Sequence, residues 1–590
     1  MCGIIGYIGK LNAKNVVIDG LKKLEYRGYD SVGIAAVEDK IKVYKDKGRV
    51  EQIEKVTSNV SCNICIGHTR WATHGAANKA NSHPHVCNFE RFFIVHNGIV
   101  ENYKDLKGKY LKDYKFHSQT DTEVIVNLIN FFSKQDSTIN SVNKTINLLK
   151  GSHTILVLDD YKKDRIYFAK NKTPLIIGKN DDGYTLASDI LALSGIASVY
   201  YLLPDMTYGY ICKDKVVCYD YSNNLIDVKY SDFNNLMIEA NKDGFDWYML
   251  KEISEQPIVI ERIIDKYFDD KLVNIDSDII KTIITSQKIN LVGSGTSMYA
   301  SYMGKYFFEK VCKIPSEVFC ASELVYSKPL IIGKPTFLFI TQSGETADSI
   351  SVMNRFKEEG YPIIVISNSQ LSTMSLLADY SLDMCAGKEI SVASTKAYTA
   401  EIVMMAVLAN AIKNENIELK KELQFVAQEM KKIVKNINIY TNFIKNIVNS
   451  KSIFYIGRGI DYWMCLESAL KMKEISYIHT EAYSSGELKH GAIALIDDSS
   501  MVIAICTQEG TNSITRSNLE EAKSRGAKTL IISTKSLSQE DDDIIIPDVP
   551  NYFTPLLTAI VTQSLAYYTA LAKGNDVDKP RNLAKSVTVE

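Results

Sequence analysis

The chain of 590 residues lacks the features that mark several special classes of protein. It has no excess of one charge, because 68 Lys and Arg side chains are balanced by 70 Asp and Glu, for a net charge of -2. A chain so close to neutral has no broad electrostatic attraction for nucleic acid or for an anionic membrane, and we expect it to bind neither. It also lacks any apolar run near the roughly 20 residues that a membrane helix needs.

Cysteine is also sparse, with 11 residues at irregular spacings, which is too dilute for a disulfide framework. The opening residues, MCGIIG, show neither the basic segment nor the apolar segment of a secretory signal. These absences predict a cytoplasmic protein. Its apolar share of 46% is ordinary for globular proteins, and the length predicts several domains.

The pattern of predicted elements changes along the chain. Before about residue 230, short β-rich runs alternate with turns and a few helical patterns, such as residues 122–132. This predicts an α+β domain with largely antiparallel sheet. After about residue 280, buried-strand runs alternate with long helical patterns, which predicts α/β domains with parallel sheets.

The second half of the chain repeats itself. LVGSG at 291–295 returns as YIGRG at 455–459, and TFLFITQSG at 336–344 returns as MVIAICTQEG at 501–510. Two sequential copies of one strand, glycine turn and helix unit explain this best. The expected organisation is as follows: an N-terminal domain at 1–232, a linker and leading helix at 233–279, two repeated domains at 280–434 and 435–579, and a C-terminal tail at 580–590.

Cys2 is the first candidate for chemistry. If the initiator methionine is removed, this cysteine carries a free α-amine, which titrates at about pH 8 and can accept the thiol proton. One residue then supplies both the nucleophile and its base. Taken alone, Cys2 is more simply explained as a buried strand cysteine beside Ile4 and Ile5.

Three further motifs favour the chemical interpretation. Arg70, within GHTRWATHG at 67–75, suits a bidentate grip on a carboxylate. Asn97 and Gly98 offer the donors of an oxyanion hole, although Asn-Gly is also typical of a hairpin turn. Asp121, just before a helical pattern, suits a substrate ammonium or a helix N-cap. Together these residues equip a site for an α-amino acid with a reactive side-chain amide.

These motifs, with LEYRGYDS at 24–31 and TDTE at 120–123, resemble the N-terminal-nucleophile glutaminase domain of the class II amidotransferases. The resemblance implies antiparallel sheets sandwiched by helices, with Cys2 as the nucleophile that attacks the glutamine amide. It implies that Asn97 and the Gly98 N–H stabilise the oxyanion and that Trp71 gates the passage of ammonia. The glutamine-binding residues that it implies are Arg70, Thr73, His74 and Asp121.

A zinc site is the alternative for this region. It would draw on residues at superficially suitable spacings, namely Cys62, Cys65, His68, His83, His85 and Cys87. Cys65 lies in an apolar run, however, and the amidotransferase resemblance already accounts for His68. We therefore expect no metal and no other cofactor.

Two turns in the second half are suited to phosphate. GSGTS at 293–297 and TQSGET at 341–346 each follow a strand and open a helix, where hydroxyls and backbone N–H groups stabilise an anion. Neither turn fits a nucleotide P-loop. A single turn of this kind is more often only a helix cap. With VASTK at 392–396, the two turns resemble the sugar isomerase (SIS) domain.

Two SIS domains behind a glutaminase imply an enzyme that uses L-glutamine and fructose 6-phosphate to make glucosamine 6-phosphate, and a homodimer. GELKHG at 486–491 and the terminal DKPRNLAKSVTVE match this family specifically. The resemblance implies that Lys585 forms an imine with the C2 ketone, that Glu474 moves the proton between C1 and C2, and that His490 assists ring opening. The implied sugar-phosphate contacts are Thr296, Thr341, Gln342, Ser343, Thr346, Val392, Ser394, Lys471 and Ala584.

Residue spacing alone supports only part of this assignment. Lys471 and Glu474 are three apart in a helical pattern and share a face, but a solvated ion pair would explain them equally simply. Lys585 falls in a polar tail, where a solvated side chain is the simpler interpretation. Two other functions remain open. One is an amidotransferase for another ketose phosphate, and the other is a non-enzymatic SIS sensor of sugar phosphates.

Overall fold

The computed structural model describes residues 2–25, 28–71, 75–233, 241–269, 273–327, 329–413 and 416–588. The chain divides into two compact units, one of residues 1–239 with 586–590 and the other of residues 240–585. Thr73 and His74 of the predicted glutamine site lie outside the described residues. Within the described ranges, every helix is too short or too polar to cross a bilayer.

The first unit contains five helices and fifteen strands in its described ranges. The helices are α1 (Ala13–Leu24), α2 (Val50–Val56), α3 (Tyr103–Tyr110), α4 (Thr122–Phe132) and α5 (Thr138–Ile146). The strands are β1 (Gly3–Gly9), β2 (Ser31–Val37), β3 (Ile41–Lys47), β4 (Ile64–Arg70), β5 (His85–Val86), β6 (Phe92–Val100), β7 (Gly151–Asp159), β8 (Lys162–Asn171), β9 (Ile176–Asn180), β10 (Gly183–Ala187), β11 (Val199–Leu202), β12 (Thr207–Cys212), β13 (Val216–Asp220), β14 (Leu225–Ile226) and β15 (Ser231–Asp232).

These strands form two antiparallel sheets, as predicted. One has the order β15-β11-β9-β10-β1-β4-β2-β3 and the other the order β14-β13-β12-β8-β7-β6-β5. Side chains alternate along each strand, so β6 sends Phe93 and Val95 into the core shared by both sheets and Phe92 and Ile94 into a second core with α4. Helix α1 packs on the outer side of β1 and β4. The unit is therefore a sandwich of helix, sheet, sheet and helix.

The second unit contains the remaining elements. Its helices are α6 (Tyr248–Tyr267), α7 (Ser277–Ile284), α8 (Thr296–Phe307), α9 (Ala321–Tyr326), α10 (Ala347–Glu358), α11 (Thr373–Leu377), α12 (Lys396–Lys413), α13 (Asn416–Lys435), α14 (Thr441–Ile447), α15 (Ile460–Ser476), α16 (Asn512–Lys523) and α17 (Thr554–Ala572). Its strands are β16 (Lys288–Gly293), β17 (Ser316–Cys320), β18 (Pro335–Thr341), β19 (Ile363–Ser367), β20 (Tyr380–Asp383), β21 (Ser452–Gly457), β22 (His479–Ser484), β23 (Ser500–Cys506), β24 (Lys528–Thr534) and β25 (Ile544–Ile546).

The sequence repeat corresponds to a structural repeat. The first copy has a parallel sheet of order β17-β16-β18-β19-β20, and the second has the matching order β22-β21-β23-β24-β25. The strands are buried on both faces, which explains why they read as continuous apolar runs. One continuous core joins the two copies through α12, α13, α15 and α17. The predicted fold class is confirmed for both halves of the chain.

Candidate active sites

Cys2 lies at the edge of the first unit's central strands. Strand β1 pairs with β4 so that Gly3 stands opposite Thr69, and this register brings Cys2 beside the end of β4. There the Trp71 backbone N–H donates to the Cys2 Sγ over 3.2 Å. Cys2 is half-buried. A backbone N–H aimed at the sulfur stabilises the thiolate, which is the nucleophilic form of cysteine.

Asn97 and Gly98 lie inside strand β6, so the alternative that they form a hairpin turn is wrong. The Asn97 amide donates from Nδ2 to the Cys2 carbonyl oxygen over 3.0 Å. Gly98 has φ of +131°, and a Cβ there would lie 2.1 Å from the Ser152 carbonyl oxygen. Only glycine fits this position. The strand thus holds a side-chain amide donor next to Cys2 and exposes no side chain at the following residue.

Arg70 and Asp121 supply opposite charges close to the same place. The buried Arg70 guanidinium donates to the carbonyl oxygens of Gly75 at 3.1 Å and Ala76 at 3.4 Å. Burial lowers the pKa of Arg70, and the charges of Cys2 and Asp121 act in the opposite direction, so both lie within its electrostatic reach. Asp121 does not cap α4 through its side chain. Its Oδ2 instead accepts the Val100 N–H over 2.7 Å.

Four buried histidines surround this site, and they form hydrogen bonds within the protein. His83 Nδ1 accepts the His96 N–H, and His85 Nε2 lies 3.0 Å from the Thr120 hydroxyl. The His68 ring stacks on His83 with centroids 4.1 Å apart. Across the described ranges, no three His, Cys, Asp or Glu side chains are grouped so as to hold a metal ion. The spacing that suggested zinc reflects a buried histidine cluster behind Cys2.

The second unit joins its two copies at helices α8 and α15. Lys471 on α15 donates to the Thr296 hydroxyl at the start of α8 over 3.1 Å, and Thr296 donates to Glu467 over 3.2 Å. Lys471 also pairs with Glu474 at 2.6 Å and with Glu467 at 3.5 Å. The Lys471 side chain is only 1% exposed. The simple interpretation of Lys471 and Glu474 as a solvated pair is therefore wrong.

Burial changes the protonation of this group. It raises the pKa of the Glu467 carboxyl to about 8, and the neighbouring Lys471 charge offsets only part of that effect. Burial alone would lower the pKa of Lys471, but the charges of Glu467 and Glu474 outweigh it and raise the pKa. Lys471 is thus held as a cation beside two acids. Pairs of groups with such different proton affinities are typical of acid–base sites.

Lys585 is not a solvated tail residue. Its side chain is 3% exposed, and its Nζ donates to the buried Glu389 carboxylate. Glu389 also accepts the Ser394 hydroxyl at 2.7 Å and the Thr395 N–H at 2.8 Å. Burial opposes ionisation of Glu389, but the Lys585 charge and these donors lower its pKa to about 2. The charge of Glu389 also acts on Lys471, so both lysines belong to one electrostatic group.

The turn after β18 has the expected form. The Thr341 hydroxyl accepts the Gly344 N–H at 3.0 Å, and the Ser343 hydroxyl accepts the Glu345 N–H at 3.2 Å. Gly344 has φ of +67°, and a Cβ there would overlap the Ser372 hydroxyl. Helix α10 begins directly after Thr346. The turn therefore presents hydroxyls and backbone donors at a helix N-terminus.

The other predicted residues lie at varying distances from these groups. The Val392 N–H donates to the Asp578 carbonyl oxygen at 3.0 Å, which links the segment that contains Val392 and Ser394 to the C-terminal segment. Gln342 and Ala584 are partly exposed. His490 ends a short turn at Glu487–His490 and is exposed, and its ring joins neither lysine group among the described residues. Trp71 contacts Tyr29 edge to face at 5.9 Å.

Sequence reasoning missed three residues of these sites. Glu467 had a readable signal, because it precedes Lys471 by one helical turn on the same face. Glu389 had none, since its partner Lys585 is 196 residues away. His68 was weighed as a metal ligand and attributed to the amidotransferase resemblance, but it was given no role, whereas its ring nitrogen Nε2 lies 3.1 Å from Asn97 Oδ1.

Comparisons with known proteins agree with both sites. A model of the SIS domain matches residues 282–411 and 446–573, and a model of the glutamine amidotransferase domain matches residues 68–195. The glutamine–fructose-6-phosphate aminotransferases (isomerizing) of Staphylococcus epidermidis and Staphylococcus aureus are each 46% identical over 604 residues. In both comparisons, all of this chain and all of the relative are covered.

A solved structure supports the second unit in the same way. The C-terminal domain of glucosamine-fructose-6-phosphate aminotransferase from Francisella tularensis is 34% identical, with a TM-score of 0.54. The match covers 58% of this chain and 100% of that domain. Full-length identity to curated relatives, the amidotransferase match and two SIS matches point to one conclusion. The chain belongs to the family of isomerizing glutamine–fructose-6-phosphate aminotransferases.

Proposed function

We propose that this chain transfers the amide nitrogen of glutamine to fructose 6-phosphate and isomerises the ketose to an aldose. The products are glucosamine 6-phosphate and glutamate, and this is the first step of amino-sugar synthesis. Glutamine is hydrolysed in the first unit. The ammonia is used in the second unit, and it passes inside the protein with Trp71 as the gate, since bulk water would protonate it.

At the first site, the Cys2 thiolate attacks the side-chain amide carbon of glutamine. The Asn97 amide and the Gly98 N–H stabilise the oxyanion, ammonia leaves, and water releases glutamate from the thioester. Arg70 binds the substrate carboxylate and Asp121 its ammonium. The family resemblance also assigns Thr73 and His74 to glutamine binding. The base for Cys2 is its own α-amine, so this step requires Cys2 to be the first residue of the mature chain. N-terminal sequencing of the purified protein tests that requirement.

At the second site, hydroxyls and N–H groups of the turns at Thr296 and Thr341–Thr346 bind the sugar phosphate, with Gln342 and Ser343. Val392, Ser394 and Ala584 lie under the sugar. Lys585 Nζ condenses with the C2 ketone to a protonated imine and releases water, and ammonia then displaces the lysine as the free amine. Glu474 moves a proton between C1 and C2, Lys471 supports its charge, and His490 assists ring opening.

The observation that supports this proposal most is the burial of Lys585 and Lys471 within one group of acids. A buried lysine is costly unless it is paired, and two of them in one site indicate chemistry rather than surface solubility. A sensor of sugar phosphates would need the phosphate turns but neither lysine. An amidotransferase for another ketose phosphate would keep both, so the acceptor must be tested directly.

The experiment measures glutamate and glucosamine 6-phosphate from glutamine plus fructose 6-phosphate. Cys2→Ser is expected to abolish glutamine-dependent synthesis while synthesis from added ammonia remains. Lys585→Arg keeps the ion pair with Glu389 but cannot form the imine, so it should abolish synthesis from either nitrogen source. If the wild type releases glutamate but makes no amino sugar, fructose 6-phosphate is not the acceptor, and other ketose phosphates would be tested next. Loss of both products would favour the sensor.

We also infer a homodimer, in which the exposed His490 completes the site of the partner. Light scattering of the purified chain tests the stoichiometry. Mixing inactive His490→Ala and Lys585→Arg chains tests the exchange, because mixed dimers would regain one intact site. No recovery after confirmed exchange of chains would place His490 in its own site.

The domain boundaries remain a proposal as well. We propose a glutaminase at 1–232, a linker and leading helix at 233–279, SIS domains at 280–434 and 435–579, and a tail at 580–590. The division of the chain near residue 239 and the SIS matches from 282 and 446 support this arrangement. Limited proteolysis with mass spectrometry of the fragments tests it.

A further inference from the structure

His68 lies behind Asn97 and contacts its amide directly. Its Nε2 is 3.1 Å from Asn97 Oδ1 and 3.0 Å from the His96 carbonyl oxygen. Both of these atoms are acceptors, so Nε2 carries the proton and donates to them. The other ring nitrogen, Nδ1, is buried and has no hydrogen-bond partner among the described residues. A proton there would be a buried donor without an acceptor, which is costly.

The surroundings of His68 keep it in that single state. The ring is fully buried and stacks on His83 with centroids 4.1 Å apart. Burial lowers the pKa of His68 to about 3, and the nearby Arg70 charge acts in the same direction. His68 is therefore neutral, and its tautomer is fixed with the hydrogen on Nε2.

A fixed donor at Asn97 Oδ1 fixes the direction of the whole amide. With Oδ1 engaged by His68, Nδ2 must point the other way, where it donates to the Cys2 carbonyl oxygen over 3.0 Å. Rotated by a half turn, the amide would offer an oxygen to the forming oxyanion and repel it. Without His68, only the Cys2 carbonyl oxygen would favour this orientation of the amide.

We propose that His68 is a positioning residue for glutamine hydrolysis, which keeps the Asn97 Nδ2 donor aimed at the oxyanion. It touches neither substrate nor the reacting atoms and acts only through Asn97. This inference rests on the proposed glutaminase function of Cys2. Loss of the His68 side chain should resemble the loss of an oxyanion donor, which lowers kcat about 100-fold.

The test is a double-mutant cycle on the full chain, with glutamate release as the readout. His68→Leu and Asn97→Ala are each expected to lower kcat about 100-fold with KM for glutamine changed less than about 3-fold. Combined, they should be no slower than Asn97→Ala alone, because His68 then has nothing left to orient. Multiplied effects, or a His68→Leu kcat within 3-fold of wild type, would overturn the proposal.

Further variants separate positioning from folding. His68→Gln places an amide N–H near the Nε2 position and is expected to restore most of the activity. His153→Leu removes another buried histidine of this unit, whose Nε2 bonds to the Tyr221 hydroxyl, and should lower stability but leave kcat within about 3-fold. If His68→Leu does not fold, the same cycle with His68→Asn replaces it. If the wild-type protein releases no glutamate, the proposed glutaminase function itself is wrong. If the wild type is active but the effects of the two substitutions multiply, only the role proposed for His68 is wrong.

Discussion

The two SIS copies share a backbone but differ in the side chains at equivalent places. Each sheet has the same strand order, and each first strand ends in a Gly-x-Gly turn before a helix. The turn glycines have nearly the same conformation, with φ and ψ of 54° and -127° at Gly295 and 56° and -124° at Gly459. A single fold was therefore used twice, and the differences lie in what each copy places on it.

The helices that follow the first strands, α8 and α15, show the clearest difference. Aligned on Gly293 and Gly457, the buried Met303 and Phe307 of α8 correspond to Glu467 and Lys471 of α15. The first copy therefore has an apolar helix where the second has a buried cluster of acids and a lysine.

At the turns after β18 and β23 the charged side chains are again in the second copy, but here they oppose the binding of an anion. The first copy presents Ser343 at the start of α10, where the second copy has the exposed Glu509 before α16. In the second copy, the Asp461 carboxylate also lies at this turn, where its Oδ2 accepts the Thr507 N–H at 2.9 Å. The donors of the first turn therefore favour a bound anion, whereas the carboxylates at the second turn repel one. From this comparison we propose that the repeat divides the two roles, with phosphate binding in the first copy and proton transfer in the second.

The largest expected effect comes from the helix of the second copy. Glu474→Gln removes the proposed proton carrier and should lower kcat for amino-sugar synthesis about 1,000-fold, with KM for fructose 6-phosphate little changed. Coupled assays of both products measure it. Lys310→Gln is the matched control, because the exposed Lys310 is the counterpart of Glu474 in the first copy. A Glu474→Gln enzyme with more than a tenth of wild-type kcat would end the assignment of proton transfer to this helix.

A smaller effect follows from exchanging residues between the turns. Ser343→Glu gives the first turn the charge of the second and should raise KM for fructose 6-phosphate about 100-fold, since like charges repel by several kcal/mol when close. The reverse exchange, Glu509→Ser, should leave KM unchanged. Initial rates over a range of fructose 6-phosphate concentrations decide this. Equal shifts from both exchanges would mean that the second turn also binds the substrate.

The sequence predicted the repeat, and the structure explains why. Parallel strands buried on both faces give apolar runs that survive divergence, so LVGSG and YIGRG remained recognisable. Helix α4 was also predicted to its ends, Thr122 and Phe132, because its apolar residues recur with helical period and turn signals flank them.

The environments of single side chains could not be predicted in this way. Lys585 looks solvated because its neighbours in sequence are polar, yet a distant segment carrying Glu389 buries it. Asn97 and Gly98 look like a turn because local preference favours one, but pairing with β7 keeps them in a strand. Local patterns thus gave the elements and the candidate residues. Partners far apart in sequence decide which of those residues are buried and charged.

The smallest expected effect separates strain from function at the two turns. A Cβ at Gly295 or at Gly459 would meet no atom of the described residues within 4 Å, so alanine there would cost only backbone strain, about 1–3 kcal/mol. Because the two conformations match, Gly295→Ala and Gly459→Ala should lower the free energy of unfolding by similar amounts, as measured by denaturant titration. Only Gly295→Ala should also raise KM for fructose 6-phosphate, by about tenfold, because only its turn is proposed to bind the phosphate. An equal rise with Gly459→Ala would show that the second turn still contributes to the sugar site, and that the division between the copies is incomplete.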